Sequence, residues 1–74
     1  MRVFEIVKGE VMSTKEMELT ETLYQQNIFV RCEDGRELSV PVYVKLGNAE
    51  FFAEGDKVHV LLKDNLPIDI RRDR

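Results

Sequence analysis

The sequence has very few residues that could form covalent cross-links or metal sites. Cys32 is its one cysteine and His59 its one histidine. A single thiol excludes an internal disulfide and a multi-cysteine zinc site, and one histidine beside one cysteine leaves too few ligands for a metal ion. Nothing close to Cys32 in the sequence would lower its thiol pKa, so we expect an inert thiol. We therefore expect no metal and no cofactor.

Long apolar runs are missing as well. No segment approaches the ~18 apolar residues that a membrane span needs, and Met1 to Lys8 lacks the apolar stretch of a signal peptide. These absences lead us to expect a cytoplasmic protein without a membrane partner. There is also no nucleophile with an adjacent base, no phosphate-cradling glycine loop and no paired carboxylate motif. We therefore expect a binding protein rather than an enzyme.

The composition is that of one small folded domain covering residues 1–74. Hydrophobic residues make up 43% of the chain and charged residues 34%, which is too apolar for a disordered segment. The net charge of −3 argues against strong nucleic-acid binding, but three glutamates fall between Ser13 and Leu23 against one lysine. The last third of the chain leaves room for a local basic patch, formed by Lys57, Lys63, Arg71, Arg72 and Arg74.

The stretch from Ile28 to Val44 predicts a β-hairpin. Two alternating runs flank Asp34-Gly35, which is the strongest short-range hairpin signal. A three-residue loop with Gly35 in the left-handed conformation places the apolar residues on one face and an ion pair on the other, and we prefer it to a two-residue loop. The preferred register pairs Val30 with Leu38, Ile28 with Val40 and Arg31 with Glu37.

Three further strands are predicted, over Val3–Met12, Lys57–Lys63 and Leu66–Arg71. Gly9 indicates a bulge or bend in the first of them, and Pro67, which cannot donate a ladder hydrogen bond, is expected at the start or on the edge of the last. In the last strand we expect Leu66, Ile68 and Ile70 to share one face.

Two connections between these strands are less regular in pattern. We interpret Ser13 to Leu23 as an extended, partly mobile hairpin connection, and a short helix opened by Ser13-x-x-Glu16 is the alternative. Lys45 to Phe52 predicts a single helical turn that carries Leu46, Phe51 or Phe52 under a barrel.

Three strands, a short helical turn and two strands are the element order of the OB-fold. We therefore predict an all-β fold, a small five-stranded antiparallel barrel that is OB-fold-like, with the helical turn between strands three and four. An SH3-like barrel is the alternative. A barrel of this size fills its interior with side chains, which also disfavours an enzyme with an internal substrate cavity.

Four segments of the chain resemble bacterial translation initiation factor one and related small RNA-binding OB-folds. They are Lys8-Gly9-Glu10-Val11, Phe29 to Val42 around the Asp34-Gly35 turn, Gly55-Asp56-Lys57-Val58-His59-Val60, and the closing Ile70-Arg71-Arg72. The resemblance covers roughly fifty residues in order. It implies a small barrel that binds RNA.

The predicted outer face of the hairpin is the first candidate site. OB-folds bind oligonucleotides on the outer face of strands two and three, with aromatic residues that stack on bases and basic residues that meet phosphates. With Ile28, Val30, Leu38, Val40 and Val42 inward, the outward residues are Phe29, Arg31, Tyr43 and Lys45. The alternative is that Phe29 and Tyr43 cover a neighbouring loop while Arg31 pairs with Glu37.

Arg71 and Arg72 are further candidates for phosphate contacts, although a solvated C-terminal tail fits them better. The predicted partner is single-stranded RNA or DNA. The alternative is a protein-interaction module, an adaptor or inhibitor, that meets a basic protein surface through Glu16, Glu18 and Glu21 or through the same aromatic face.

Overall fold

The computed structural model describes residues 3–47 and 51–73, and these form five antiparallel β-strands. Each strand alternates buried and exposed side chains over most of its length, as expected for a sheet with one face on a core. The strands are β1 (Phe4–Glu18), β2 (Leu23–Cys32), β3 (Glu37–Lys45), β4 (Lys57–Lys63) and β5 (Leu66–Arg72).

The strands lie in the order β3-β2-β1-β4-β5, and the edge strands β3 and β5 approach each other so that the barrel nearly closes. The predicted small five-stranded barrel is confirmed, and this order is consistent with an OB-like arrangement. Apolar side chains fill the interior. Most of the inward residues are β-branched, because such side chains pack well on a pleated strand. The core residues are Val7, Val11, Ile28, Val30, Cys32, Val40, Val58, Val60, Leu62 and Ile70.

The β2–β3 hairpin has the predicted register. Val30 lies opposite Leu38 and Ile28 opposite Val40. Gly35 has a φ of 94°, and the loop closes with a hydrogen bond of 2.8 Å from the Cys32 N–H to the Arg36 carbonyl. The hairpin is longer than the predicted Ile28–Val44, because β2 begins at Leu23.

Residues 13–23 are extended and form the end of a β-hairpin, as predicted, but most of them belong to the paired strands rather than to a connection. β1 does not end at Met12 but continues to Glu18, where a short turn leads into β2, and no helix forms. The reason is that the early part of β2 provides a ladder for it, in which Glu18 lies opposite Tyr24. We call this paired extension, residues 13–29, the arm.

The irregularity of β1 lies at Met12 and not at Gly9. The register shifts between Val11 and Ser13, so that Met12 is the extra residue of a β-bulge. Gly9 has a different role, since a Cβ atom there would lie 2.6 Å from the Arg31 carbonyl oxygen. Glycine is required at this position because β1 and β2 approach closely.

The helical turn predicted over Lys45–Phe52 is not observed in the described residues. Lys45 ends β3, Leu46 and Gly47 form a turn, and residues 48–50 of this prediction lie outside the described residues. Leu46 is exposed, whereas Phe52 packs against the core. The prediction of a residue under the barrel therefore holds for Phe52 without a helix.

The face predicted for β5 was wrong in part. Ile70 is buried, but Leu66 and Ile68 are exposed. The cause is a register shift against β4, in which Leu62 lies opposite Pro67 and Leu61 opposite Asp69. The extra residue reverses the alternation before Ile70. Pro67 is the second residue of an edge strand, as its missing N–H requires.

Candidate nucleic-acid interface

The predicted outward residues of the hairpin lie on its outer face. Residues opposite each other in a ladder share a face, and the outward pairs of β2 and β3 alternate with buried ones. Phe29 is 40% exposed and Tyr43 is 68% exposed, and Arg31 and Lys45 are exposed as well. The outward pairs are Arg31 with Glu37, Phe29 with Ser39, Asn27 with Pro41, Gln25 with Tyr43 and Leu23 with Lys45.

The two aromatic residues lie at different ends of this face. Tyr43 is opposite Gln25, four positions along β2 from Phe29, which separates the two rings by about 13 Å along the strand. Arg31 is at the Phe29 end and Lys45 at the Tyr43 end. A ligand that contacts both ends must therefore lie along the strands.

The bulge at Met12 adds β1 side chains to the same face. Ser13 lies opposite Phe29, Lys15 opposite Asn27 and Met17 opposite Gln25. Lys15 and Met17 were not among the predicted site residues. No local pattern in the sequence marks Met12 as the extra residue. We call the outer side of β1, β2 and β3 in this region the hairpin face.

The bulge also separates the charges of β1. Glu16 lies opposite the fully buried Gln26, so Glu16 is on the opposite side of the sheet from Lys15. Glu18 alternates with Met17 and also lies on that opposite side. The hairpin face therefore carries Lys15, Arg31 and Lys45. Its acids are Glu37 and Glu10, which both lie opposite Arg31, and Glu10 forms an ion pair with Lys57.

Arg31 and Glu37 form the ion pair that the register predicted. The Arg31 Nη2 and Glu37 Oε1 atoms are 3.4 Å apart, and both side chains are mostly exposed. Exposed pairs of this kind contribute little to stability, about 0–1 kcal/mol, and break at little cost. The Arg31 guanidinium is therefore available to an anionic ligand.

A shallow depression opens at the Phe29 end of the hairpin face. It has a volume of about 370 Å³ and is lined in part by Met12, Ser13, Phe29, Leu38 and Ser39. An aromatic ring, two hydroxyl groups and a thioether surround it. This combination offers a base both a stacking surface and hydrogen-bonding partners.

The structure does not bring Arg71 and Arg72 to the hairpin face. Arg72 is not part of a solvated tail, because its guanidinium carbon lies 4.4 Å from the centre of the Phe52 ring and its Nη2 donates to the Phe51 carbonyl at 2.6 Å. Arg71 is exposed on the outer side of β5, opposite His59, and its Nε donates to Asp69 at 3.2 Å. Both arginines belong to β5, which pairs with β4 and not with the strands of Phe29 and Tyr43.

Gln26 is the residue of this region that sequence reasoning missed. It is fully buried, its Nε2 donates to the Phe52 carbonyl at 2.8 Å, and its Oε1 accepts from the Phe52 N–H at 3.0 Å. The Gln26 amide thus satisfies both backbone groups of Phe52, as a neighbouring strand would, and holds the β3–β4 connection against β2. Because Gln26 stands among other polar residues of β2, no sequence pattern distinguishes it from Gln25.

Arg36 connects the β2–β3 loop to β1. Its guanidinium donates to both carboxylate oxygens of Glu5, at 2.9 and 3.1 Å, and its Nε donates to Asp34 at 2.8 Å. These hydrogen bonds hold the pKa of Glu5 and the pKa of Asp34 below their ordinary values. The loop that supports the Arg31 end of the hairpin face is therefore fixed at two points.

The remaining chemically active side chains do not form a site with one another. Burial raises the pKa of the Cys32 thiol, which keeps it protonated at neutral pH. The His59 Nε2 lies 3.9 Å from an Asp73 carboxylate oxygen. Within residues 3–47 and 51–73 there is no group of three side chains that could hold a metal ion. The same residues include no helix long and apolar enough to cross a membrane.

Comparison with protein-family models, with curated proteins and with solved structures finds no match to this chain.

Proposed function

We propose that this protein binds single-stranded nucleic acid across the hairpin face. The observation that carries the proposal is the combination of two exposed aromatic rings and three basic side chains on one side of β1, β2 and β3. Aromatic rings stack on bases without regard to sequence, and basic side chains neutralise phosphates. The resemblance to small RNA-binding OB-folds supports the same function.

The net charge of −3 does not describe the hairpin face, because the acidic and basic side chains of β1 after Met12 lie on opposite sides of the sheet. The bulge at Met12 turns Glu16 and Glu18 away from the hairpin face and turns Lys15 towards it. A phosphate backbone on this face would meet Lys15, Arg31 and Lys45. The acids beside it are Glu37, which pairs with Arg31, and Glu10, which pairs with Lys57. Screening at physiological salt limits the effect of acids beyond about 8 Å.

A salt titration tests this proposal. The affinity of the protein for a fluorescently labelled mixed-sequence RNA is measured by anisotropy at several salt concentrations. Neutralisation of three phosphates gives a slope of log affinity against log salt of about −2, at about 0.7 per phosphate. Lys15→Ala should make the slope shallower by about 0.7, whereas Arg71→Ala, on β5, should leave it unchanged. No binding of micromolar protein to RNA or single-stranded DNA at low salt would contradict the proposal.

A protein-interaction module is the second candidate. The observation that favours it is the end of the arm, where Glu18 and Glu21 are exposed on either side of an exposed Leu19. Glu16 is less available, because its Oε1 accepts hydrogen bonds from Gln26 and Thr14. Under this alternative an acidic protrusion would meet a basic protein surface.

A further inference from the structure

A second outer face, formed by β1, β4 and β5, exposes an unusual amount of apolar surface. Phe4 is 58% exposed, Ile6 69% and Leu66 67%. The ladders make this surface continuous, because Phe4 lies opposite Lys63, Lys63 opposite Leu66, and Ile6 opposite Leu61. Contiguous exposed apolar patches on small proteins mark interaction sites. We call this surface the β4 face.

The free charges of the β4 face are positive. Lys63 lies between Phe4 and Leu66, and Lys8 lies next to Ile6 in the outward row of β1. Neither lysine has an ion pair among the residues that the structure describes. Two acids on this face already have partners, since Asp69 accepts from Arg71 at 3.2 Å and Glu10 forms an ion pair with Lys57. An occupant that complements the β4 face is therefore apolar and carries carboxylates.

The tip of the arm, residues 18–22, has this chemistry. Leu19 is exposed there between Glu18 and Glu21. The tip is nevertheless well defined, because the Thr20 hydroxyl accepts from the N–H groups of Thr22 and Leu23 at 3.2 and 3.0 Å. The Leu19 N–H also donates to the Leu23 carbonyl at 2.9 Å. A preorganised protrusion of this kind loses little conformational entropy on binding.

We propose that the arm tip of one copy of this chain docks on the β4 face of a second copy. Leu19 contacts the apolar surface around Ile6 and Leu66, while Glu18 and Glu21 approach Lys8 and Lys63. The arm and the face lie at opposite ends of β1, so a two-fold dimer can form both contacts at once. This pairing joins opposite charges, whereas packing two β4 faces directly would bring the lysines of both copies together.

The oligomeric state of the full chain tests the proposal, measured by sedimentation velocity over a range of concentrations. The wild-type protein should form a concentration-dependent dimer. The arm variant Glu18→Lys/Glu21→Lys should be monomeric, because its arm repels the wild-type face. The face variant Lys8→Glu/Lys63→Glu should be monomeric for the reverse reason. A control with one other exposed acid reversed, Glu54→Lys, should still dimerise.

Mixing the two monomeric variants is the decisive step. The basic arm of one then meets the acidic face of the other, and the acidic arm meets the basic face, so the mixture should form a heterodimer. Ile6→Ser, which changes no charge, should also give a monomer, and circular dichroism confirms that each variant is folded. A wild-type monomer at the highest soluble concentration, or a mixture that stays monomeric while the wild type dimerises, would overturn the proposal. Because none of these residues lies on the hairpin face, the result does not depend on nucleic-acid binding.

Discussion

Ser13 lies directly opposite Phe29 in the β1–β2 ladder, although Val11 lies opposite Val30. The one extra residue between these pairs decides which side chains of β1 share a face with the aromatic residues of the hairpin. If Met12 instead paired with Phe29 in a regular ladder, the alternation of β1 would place Glu16 and Glu18 on the hairpin face and Lys15 behind it. The proposed nucleic-acid interface therefore depends on the bulge as much as on Phe29 and Tyr43.

Deletion of Met12 and exchange of Lys15 with Glu16 test the role of the bulge together. Because Met12 has no partner in the ladder, its deletion leaves Val11 opposite Val30 and Ser13 opposite Phe29, and keeps Lys15 on the hairpin face. We expect the deletion variant to bind RNA more tightly than Lys15→Ala. The exchange variant Lys15→Glu/Glu16→Lys, which has the same net charge as the wild type, should bind RNA more weakly than Lys15→Ala. Equal affinity of the exchange variant and the wild type would show that the face of the β1 charges is irrelevant.

Gly35→Val should destabilise the protein by about 1 to 2 kcal/mol, because a β-branched residue is strained at positive φ. A side chain at this position meets no atom within 4 Å, so the effect is one of backbone conformation alone. Gly35→Asn should cost less, since asparagine tolerates the left-handed region. The two variants are compared by urea denaturation. Equal stabilities would contradict the turn as described.

Gln26→Leu should destabilise the fold by at least about 2 kcal/mol, since it leaves the N–H and carbonyl of Phe52 without partners in a half-buried place. Gln25→Leu, on the outer side of the same strand, should change stability far less. Thermal denaturation of the two variants measures the difference. If Gln26→Leu melted at the wild-type temperature, the β3–β4 connection would not be held by this side chain.

Acid should weaken the anchor of the β2–β3 loop. Hydrogen bonds from Arg36 lower the pKa of Glu5 and of Asp34 in the folded protein, so these carboxylates stabilise the fold above their unfolded pKa values. The contribution is lost as the pH falls below about 4, through the lowered folded values. Urea midpoints measured from pH 7 to pH 3 should therefore fall less steeply for Arg36→Leu than for the wild type. Lys45→Leu, which removes a cation without an ion pair among the described residues, should follow the wild-type curve.

Local patterns in the sequence were enough to predict the β2–β3 hairpin and the bounds of β4. The register followed from the Asp34-Gly35 turn and the alternation on either side, because both are determined by neighbouring residues. The outward positions of Phe29 and Tyr43 followed from that register. What was missed depends on contacts between distant segments.

The Gln26–Phe52 hydrogen bonds join residues that are 26 positions apart, and the Arg36–Glu5 ion pair joins residues that are 31 positions apart. Periodicity in the sequence cannot predict contacts over such separations. The bulges in β1 and β5 were missed because one extra residue in a strand leaves composition and propensity unchanged. The extension of β1 to Glu18 was missed because its polar side chains resemble a loop. It is the pairing with β2 that makes this segment a strand.

Replacement of the two exposed phenylalanines tests the central proposal most directly. Phe29 lies on the hairpin face and Phe4 on the β4 face, and both are exposed, so neither truncation leaves a cavity in the core. RNA affinity is measured by anisotropy for Phe29→Ala and Phe4→Ala, with folding confirmed by circular dichroism. We predict that Phe29→Ala weakens binding by about 1 to 3 kcal/mol, the contribution of one stacked base, and that Phe4→Ala leaves it unchanged. Equal affinities for the two variants, or a loss confined to Phe4→Ala, would contradict binding on the hairpin face.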